Sequence, residues 1–281
     1  MVLSAKVLLN NGVKIPLLGF GTWQLRGEKV LQPLTWALET GYRHIDTAMA
    51  YTNEKIIGKV IMESEILRDE LFITTKLWIW DFEPTKALEA INASLKRLGL
   101  KYVDLYLVHW PAEGYLDIWK PMEQILTEGK ARAIGVSNFL IHHLEQLQEI
   151  AEIPPAVNQI EFSPYNFNLQ LFDYCKKSNI KIAAYSPLTR GLKLGDPKLL
   201  RIASKYNKTT AQILLRWNLQ KGSIVIPKSS SKTRIIENSE IFDFTISQQD
   251  MNELDSFNEN LRIPGSTKHK QLADKYLNSN H

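Results

Sequence analysis

Eight short β-rich runs punctuate this chain of 281 residues, beginning near Leu17, His44, Phe72, Val103, Arg132, Val157, Lys181 and Ser223, at steps of 27, 28, 31, 29, 25, 24 and 42 residues. Helical patterns lie between them. From Pro84 to Leu98, the residues Leu88, Ile91, Leu95 and Leu98 fall at steps of three, four and three, which draws one apolar stripe along a helix. Pro84 suits the first turn of that helix and Gly99 the left-handed residue that stops it. Glu28 to Thr40 repeats the pattern through Leu31, Leu34 and Leu38, with Gly41 just ahead of the strand-like Arg43-His44-Ile45-Asp46. The long last step has room for two helices, Pro197 to Tyr206 and Thr210 to Gln220. Alternation of this kind calls for a parallel sheet covered by helices, and eight units close it on itself. The predicted fold is therefore α/β, a (β/α)8 TIM barrel, with residues 1–281 forming a single domain.

The two ends fall outside the repeat. Lys6-Val7-Leu8-Leu9 and Val13-Lys14-Ile15 flank Asn10-Asn11-Gly12, a hairpin signal that places a β-hairpin within residues 1–16, covering the barrel bottom. A helical run from Gln248 to Asn258 precedes a polar tail, 264–281, expected to be loosely ordered. A hydrophobic fraction of 44% excludes disorder across the chain, and the net charge of +4 is spread without a dense basic run, so it gives no footprint for nucleic acid. Cys175 is the only cysteine, which excludes an intrachain disulfide and a Cys-rich zinc site. Lys6, Asn10 and Asn11 interrupt any signal-peptide core, and no stretch is long and apolar enough to span a bilayer. A cytoplasmic, reduced monomer that contacts no membrane is expected.

In a TIM barrel the reactive groups sit at the C-terminal ends of the strands. The second run ends in Asp46, with Tyr51 in the following loop; the third, Phe72-Ile73-Thr74-Thr75-Lys76, ends in a lysine; the fourth ends in His109. Because side chains alternate along a strand, Lys76 shares a face with Phe72 and Thr74, and His109 with Leu105 and Leu107. If those apolar residues face the barrel interior, Lys76 and His109 reach its upper rim. Singly, each is ordinary: a solvated lysine, a capping aspartate, a packed histidine. Together they have a common use. A tyrosine is a poor acid because its reference pKa is about 10, and a nearby ammonium lowers that value while a carboxylate holds the ammonium in place. With His109 in reach of the same oxygen, the set can polarise and protonate a carbonyl while hydride arrives at its carbon.

The residues around this set carry a resemblance. Gly41-Tyr42-Arg43-His44-Ile45-Asp46-Thr47-Ala48, continuing to Tyr51-Thr52-Asn53-Glu54, is similar to the first signature of the aldo-keto reductase family. Gly135-Val136-Ser137-Asn138-Phe139, Asn158-Gln159-Ile160-Glu161, Tyr185-Ser186-Pro187-Leu188 and Ile226-Pro227-Lys228-Ser229 resemble that family in the same order, from about Leu17 to Phe257. The resemblance implies an NADPH-dependent carbonyl reductase of the short-loop microbial type, similar to diketo-gluconate and aldehyde reductases. In it Tyr51 is the general acid, Lys76 and Asp46 tune it, and His109 orients the carbonyl.

Hydride transfer needs a cofactor, and the chain offers no Rossmann fingerprint: Gly19-Phe20-Gly21 is followed by Thr22-Trp23-Gln24. The alternative phosphate site in a barrel lies in the loops after strands seven and eight, where Lys228, Ser229, Ser230 and Arg234 can surround a phosphate ester. The resemblance turns these residues to the 2′-phosphate of NADPH/NADP+, Glu237 and Asn238 to the adenine, and Ser137, Asn138 and Gln159 to the carboxamide. It gives Tyr185 a stacking face, places Gly21, Thr22, Trp23, Ser186 and Leu188 near the cofactor, and gives Asp46 a second role at the nicotinamide ribose. Trp23, Trp78 and Trp110, just past strand ends, are expected to rim a pocket for a small carbonyl substrate, with Trp80 joining them. Trp36, Trp119 and Trp217 are expected in the core, His44 as packed structure, and His142 and His143, adjacent in sequence, on different helix faces without a metal. Two rivals stand beside the reductase: a non-catalytic NADPH-binding sensor or subunit, and a hydrolytic barrel, for which Glu161 is the only obvious second carboxylate at a strand end.

Overall fold

The computed structural model describes Leu3 and residues 5–263; the polar tail 264–281 lies outside the described residues. A two-stranded antiparallel hairpin, β1 (Lys6–Leu8) and β2 (Lys14–Pro16), precedes eight strands: β3 (Gly19–Gly21), β4 (His44–Asp46), β5 (Phe72–Leu77), β6 (Leu105–Val108), β7 (Ile134–Ser137), β8 (Val157–Glu161), β9 (Lys181–Tyr185) and β10 (Ile224–Ile226). These pair in chain order and in parallel. A parallel bridge from Leu18 to Val225 closes the ring, with Val225 N donating to Leu17 O at 2.8 Å and Gly21 N to Pro227 O at 2.9 Å. The fold is the expected (β/α)8 barrel.

Helices α1 (Leu31–Thr40), α2 (Glu54–Glu63), α3 (Pro84–Leu98), α4 (Trp119–Thr127), α5 (Ile141–Ile150), α6 (Leu169–Lys177), α7 (Pro197–Lys205), α8 (Thr210–Gln220), α9 (Lys232–Glu237) and α10 (Gln248–Asp255) follow the strands. α3 begins at Pro84 and ends at Gly99, which takes the left-handed φ of 66° that its lack of a Cβ permits. α10 stops three residues short of the predicted Asn258. There the Asn258 side chain leaves the helical path to hold Phe167, accepting from its N at 3.1 Å and donating to its O at 2.7 Å.

Strand alternation sorts the apolar residues into two bodies. Tyr106, Val108, Val136, Ile182 and Val225 face outwards against the helices, with Trp119 and Trp217 fully buried there and Trp36 half-buried against them. Phe72, Leu105, Leu107, Ile224 and Ile226 face inwards and pack with Leu9 and Ile15 of the hairpin. Asn10 Nδ2 donates to Pro155 O at 3.0 Å and Asn11 Nδ2 to Arg132 O at 2.9 Å, so the hairpin is pinned across the barrel bottom. His44 lies against Phe72 of this layer, the rings edge-on at 5.0 Å, buried, with its Nε2 3.0 Å from Thr74 Oγ1. Apolar packing thus fills the lower barrel and leaves the strand ends for polar groups.

Candidate active site

β4 ends at Asp46 and β5 carries Lys76 one residue before its end, so two adjacent strands deliver opposite charges to one level. Lys76 Nζ donates to Asp46 Oδ1 at 2.7 Å and to Thr47 O at 2.7 Å, and its side chain is wholly enclosed. The other carboxylate oxygen accepts from Gln159 Nε2 of β8 at 2.7 Å. Both Asp46 oxygens are therefore committed, and three strands are tied together at the top of the barrel. Tyr51, in the 3-10 turn Met49–Tyr51, brings its ring centroid to 5.2 Å from Lys76 Nζ and 5.7 Å from the His109 ring. His109 follows β6, fixed by its N donating to Leu77 O at 3.1 Å, and its ring meets Trp78 edge-on at 5.0 Å. The four chemistry-bearing residues of three neighbouring strand ends stand together.

Burial, and after it the Asp46 and Tyr185 charges, pushes the Tyr51 phenol well above its ordinary pKa. The expected lowering by the ammonium does not prevail, and the phenol rests protonated. Burial likewise works against the Lys76 ammonium, opposed by the Asp46 contact. His44 is pushed down to about 4, first by burial, and so stays neutral.

Beside this set, Tyr185 OH donates to Asn138 Oδ1 at 2.8 Å, Asn138 Nδ2 donates to Ser137 Oγ at 3.0 Å and His109 O at 3.1 Å, and Ser137 Oγ donates to Gln159 O at 2.9 Å. Asn138 holds the left-handed φ of 67° that aims its amide into this network. The chain of bonds runs from Tyr185 to His109 and, through Gln159, to Asp46. A flat polar floor joins a ring face here.

A cavity of about 710 Å³ opens over this floor and runs to the loop after β10. Asp46, Tyr51, His109, Ser137, Asn138, Gln159, Tyr185, Trp23, Trp78 and Trp110 line it, as do Gly21, Ser186, Leu188, Lys228, Ser229, Ser230, Arg234, Glu237 and Asn238. Two predicted residues do not: Lys76 sits behind Asp46, and Thr22 is fully buried, its Oγ1 donating to Asp46 O at 2.9 Å. Trp80, expected at the rim, also lies outside the lining. Glu237 Oε1 accepts from Thr209 Oγ1 at 2.7 Å, which joins the α9 end to the start of α8.

Some lining residues carry no motif. Arg190, from the 3-10 turn Thr189–Gly191, places its guanidinium 4.0 Å from the Trp23 ring centroid, and Thr209 and Thr210 open α8 at the far end. The two successive left-handed residues Thr189 and Arg190 create that stacking, and the sequence Thr-Arg-Gly carries no hint of it.

The two ends of the cavity differ in chemistry. Lys228 is exposed at the cavity edge, its ammonium pushed down by desolvation and by Arg190, and it makes no ion pair among the described residues. Two cations close enough for each to disfavour the other's charge fit an anion between them. An elongated ligand with a flat amide-bearing ring at one end and a phosphate ester at the other suits this lining. Among the described residues, no group of three or more His, Cys, Asp and Glu could hold a metal; the His142 and His143 rings lie 3.8 Å apart, away from the cavity.

Comparison with known proteins agrees with this geometry. The model of the Aldo/keto reductase family matches residues 17–259. Glyoxal reductase of Bacillus subtilis is 48% identical over 92% of this chain and 94% of that protein, and methylglyoxal reductase DkgA of Escherichia coli is 42% identical over 92% and 94%. The crystal structure of a Bombyx mori aldo-keto reductase in complex with NADP superposes with a TM-score of 0.90 at 37% identity, covering 96% of this chain and 98% of that one. A barrel closed in chain order, a tyrosine, lysine, aspartate and histidine at its mouth, and a match along nearly its whole length lead to one assignment: the chain belongs to the Aldo/keto reductase family.

Proposed function

We propose that this chain is an NADPH-dependent reductase of aldehydes and ketones, with small dicarbonyls of the glyoxal type among its substrates. The observation that carries the reading is the Tyr51 ring beside the enclosed Lys76–Asp46 pair, with His109 across the same mouth. The reduced nicotinamide, when bound, supplies hydride to the carbonyl carbon. The residues of the chain handle the oxygen. Tyr51 gives its proton to the oxygen as negative charge develops there, a role worth on the order of 10²–10⁴ in rate. The Lys76 ammonium stabilises the phenolate left behind, and Asp46 keeps that ammonium charged and aimed. His109 directs the carbonyl by hydrogen bonding, and Trp23, Trp78 and Trp110 exclude water around it. Ser137, Asn138, Gln159 and Tyr185 hold the nicotinamide end, while Lys228, Ser229, Ser230 and Arg234 hold the 2′-phosphate, with Glu237 and Asn238 at the adenine.

The reading treats residues 1–281 as one catalytic unit, working as a monomer in the cytoplasm. Its single, buried thiol suits a reducing compartment, and no helix among the described residues is long and apolar enough to cross a membrane. The test is consumption of NADPH and of NADH with glyoxal, methylglyoxal and a panel of aldehydes and ketones. Lys228→Ala and Arg234→Ala each remove a charge-assisted contact and should raise KM for NADPH by roughly 10- to 100-fold, with far less effect on NADH. Equal weakening of both cofactors would contradict the 2′-phosphate assignment.

A further inference from the structure

Trp80 exposes 65% of its surface, the most of any tryptophan in the chain. It sits in the 3-10 turn Ile79–Asp81, between Trp78 and Ile79, which are buried, and Phe82, which is half-buried. Asp81 N donates to Trp78 O at 3.0 Å and Phe82 N to Ile79 O at 3.4 Å. Across from the turn lies Gly114, so close that a Cβ there would come within 3.3 Å of Phe82 O. The exposed ring therefore stands on a turn whose backbone is pinned from both sides.

The Trp80 ring meets Trp78 edge-on, at 6.1 Å and 85°, and Trp78 meets His109 at 5.0 Å and 77°. Three rings thus step from the imidazole to solvent. Trp78, Ile79 and Ala112, with Met49, Ala50, Phe82 and Trp110, form an apolar cluster of their own, separate from the barrel core. The cations of the cavity come from other loops. One flank of the mouth is consequently apolar from the reacting groups outwards, and Trp80 is its outermost ring.

We propose that Trp80 determines substrate specificity, as an outer shelf that holds the distal hydrocarbon of a carbonyl substrate whose oxygen lies at Tyr51 and His109. The proposal rests on the carbonyl-reductase reading and names its substrate class: aldehydes and ketones with a medium-length alkyl or aryl extension. A short substrate ends beside Trp78 and never reaches the shelf. Fully burying a methylene is worth roughly fourfold, so cover from one side gives roughly twofold for each carbon that lies on Trp80.

The experiment measures kcat/KM for straight-chain aldehydes from propanal to octanal, and for methylglyoxal, with the wild type, Trp80→Ala and Trp80→Phe. In parallel, calorimetry follows binding of propan-1-ol and octan-1-ol to the NADP+-loaded chain. In the wild type kcat/KM climbs along the series. Trp80→Ala should lose about five- to tenfold on octanal and weaken octan-1-ol similarly, with propanal and methylglyoxal unchanged, and Trp80→Phe should keep most of the gain. An equal loss on short and long substrates, or no loss on either, overturns the proposal. If the wild type reduces no carbonyl compound, the functional reading fails, and the alcohols decide the shelf separately: selective loss of octan-1-ol supports it, and unchanged binding overturns it.

Discussion

Lys76 carries an ammonium enclosed among protein atoms, with Asp46 Oδ1 and Thr47 O each 2.7 Å away. An ion pair removed from water gives little net stability, yet losing one partner typically costs 3–5 kcal/mol because the other charge is stranded. Such a pair is better explained by the phenol beside it than by the barrel's need for cohesion. His44, two residues before Asp46, is a different case: a buried base held neutral, with a pKa of about 4 against a reference of 6.5. The folded state therefore binds fewer protons than the unfolded chain, so the stability from His44 is complete above pH 6.5 and declines as pH falls toward 4. At pH 5 this loss amounts to about 2 kcal/mol. Urea unfolding at pH 7 and pH 5 should show a drop of that size in the wild type beyond the drop in His44→Asn, and equal drops in both would refute it. His44 opens and Asp46 closes one short strand, and the two-residue spacing that marks His44 as the packed one also sets it back from the polar strand end. The distinction comes from height in the barrel, set by the apolar layer beneath.

Among the elements, the hairpin and the helix contacts show how a simple pattern becomes a positioned site. Ile15 of β2 is fully buried among Phe72, Leu105 and Leu107, and it closes the end of the barrel opposite the reactive groups. Ile15→Ala should cost about 2–5 kcal/mol in urea unfolding and leave kcat/KM unchanged well below the melting range; a kinetic loss with stability intact would contradict the division of labour between the two ends. α2 and α3 touch through Gly58, where a Cβ would stand 2.3 Å from Leu98 O, so a glycine inside a helix marks a backbone contact. The limits of α3 are legible because a proline, an apolar period and a stop glycine coincide there. The end of α10 is not, since Asn258 turns away to bind Phe167, a residue 91 positions earlier. The loop carrying Arg190 is equally silent, because two left-handed residues without a glycine give no sequence signal.

For the whole molecule, the eight spaced runs state the topology almost completely, because each unit is local and the closure of a parallel barrel leaves few alternatives. The site is legible to the extent that strand ends are: Asp46, Tyr51, Lys76 and His109 converge from three neighbouring ends. What the chain order hides are the distances across the mouth. Thr22 turns inwards to Asp46, Trp80 stands one ring outside the cavity, and Arg190 stacks on Trp23 from the other side of the ring of strands. Reduction of a carbonyl with Tyr51 as the proton donor is the central claim, and Tyr51→Phe isolates it by removing one hydroxyl while keeping the ring against Lys76 and His109. Steady-state reduction of methylglyoxal with NADPH, alongside NADPH binding to the same variant, tests it most directly. The account predicts a fall in kcat on the order of 10²–10⁴ with NADPH affinity largely kept; turnover at the wild-type rate by Tyr51→Phe would contradict it.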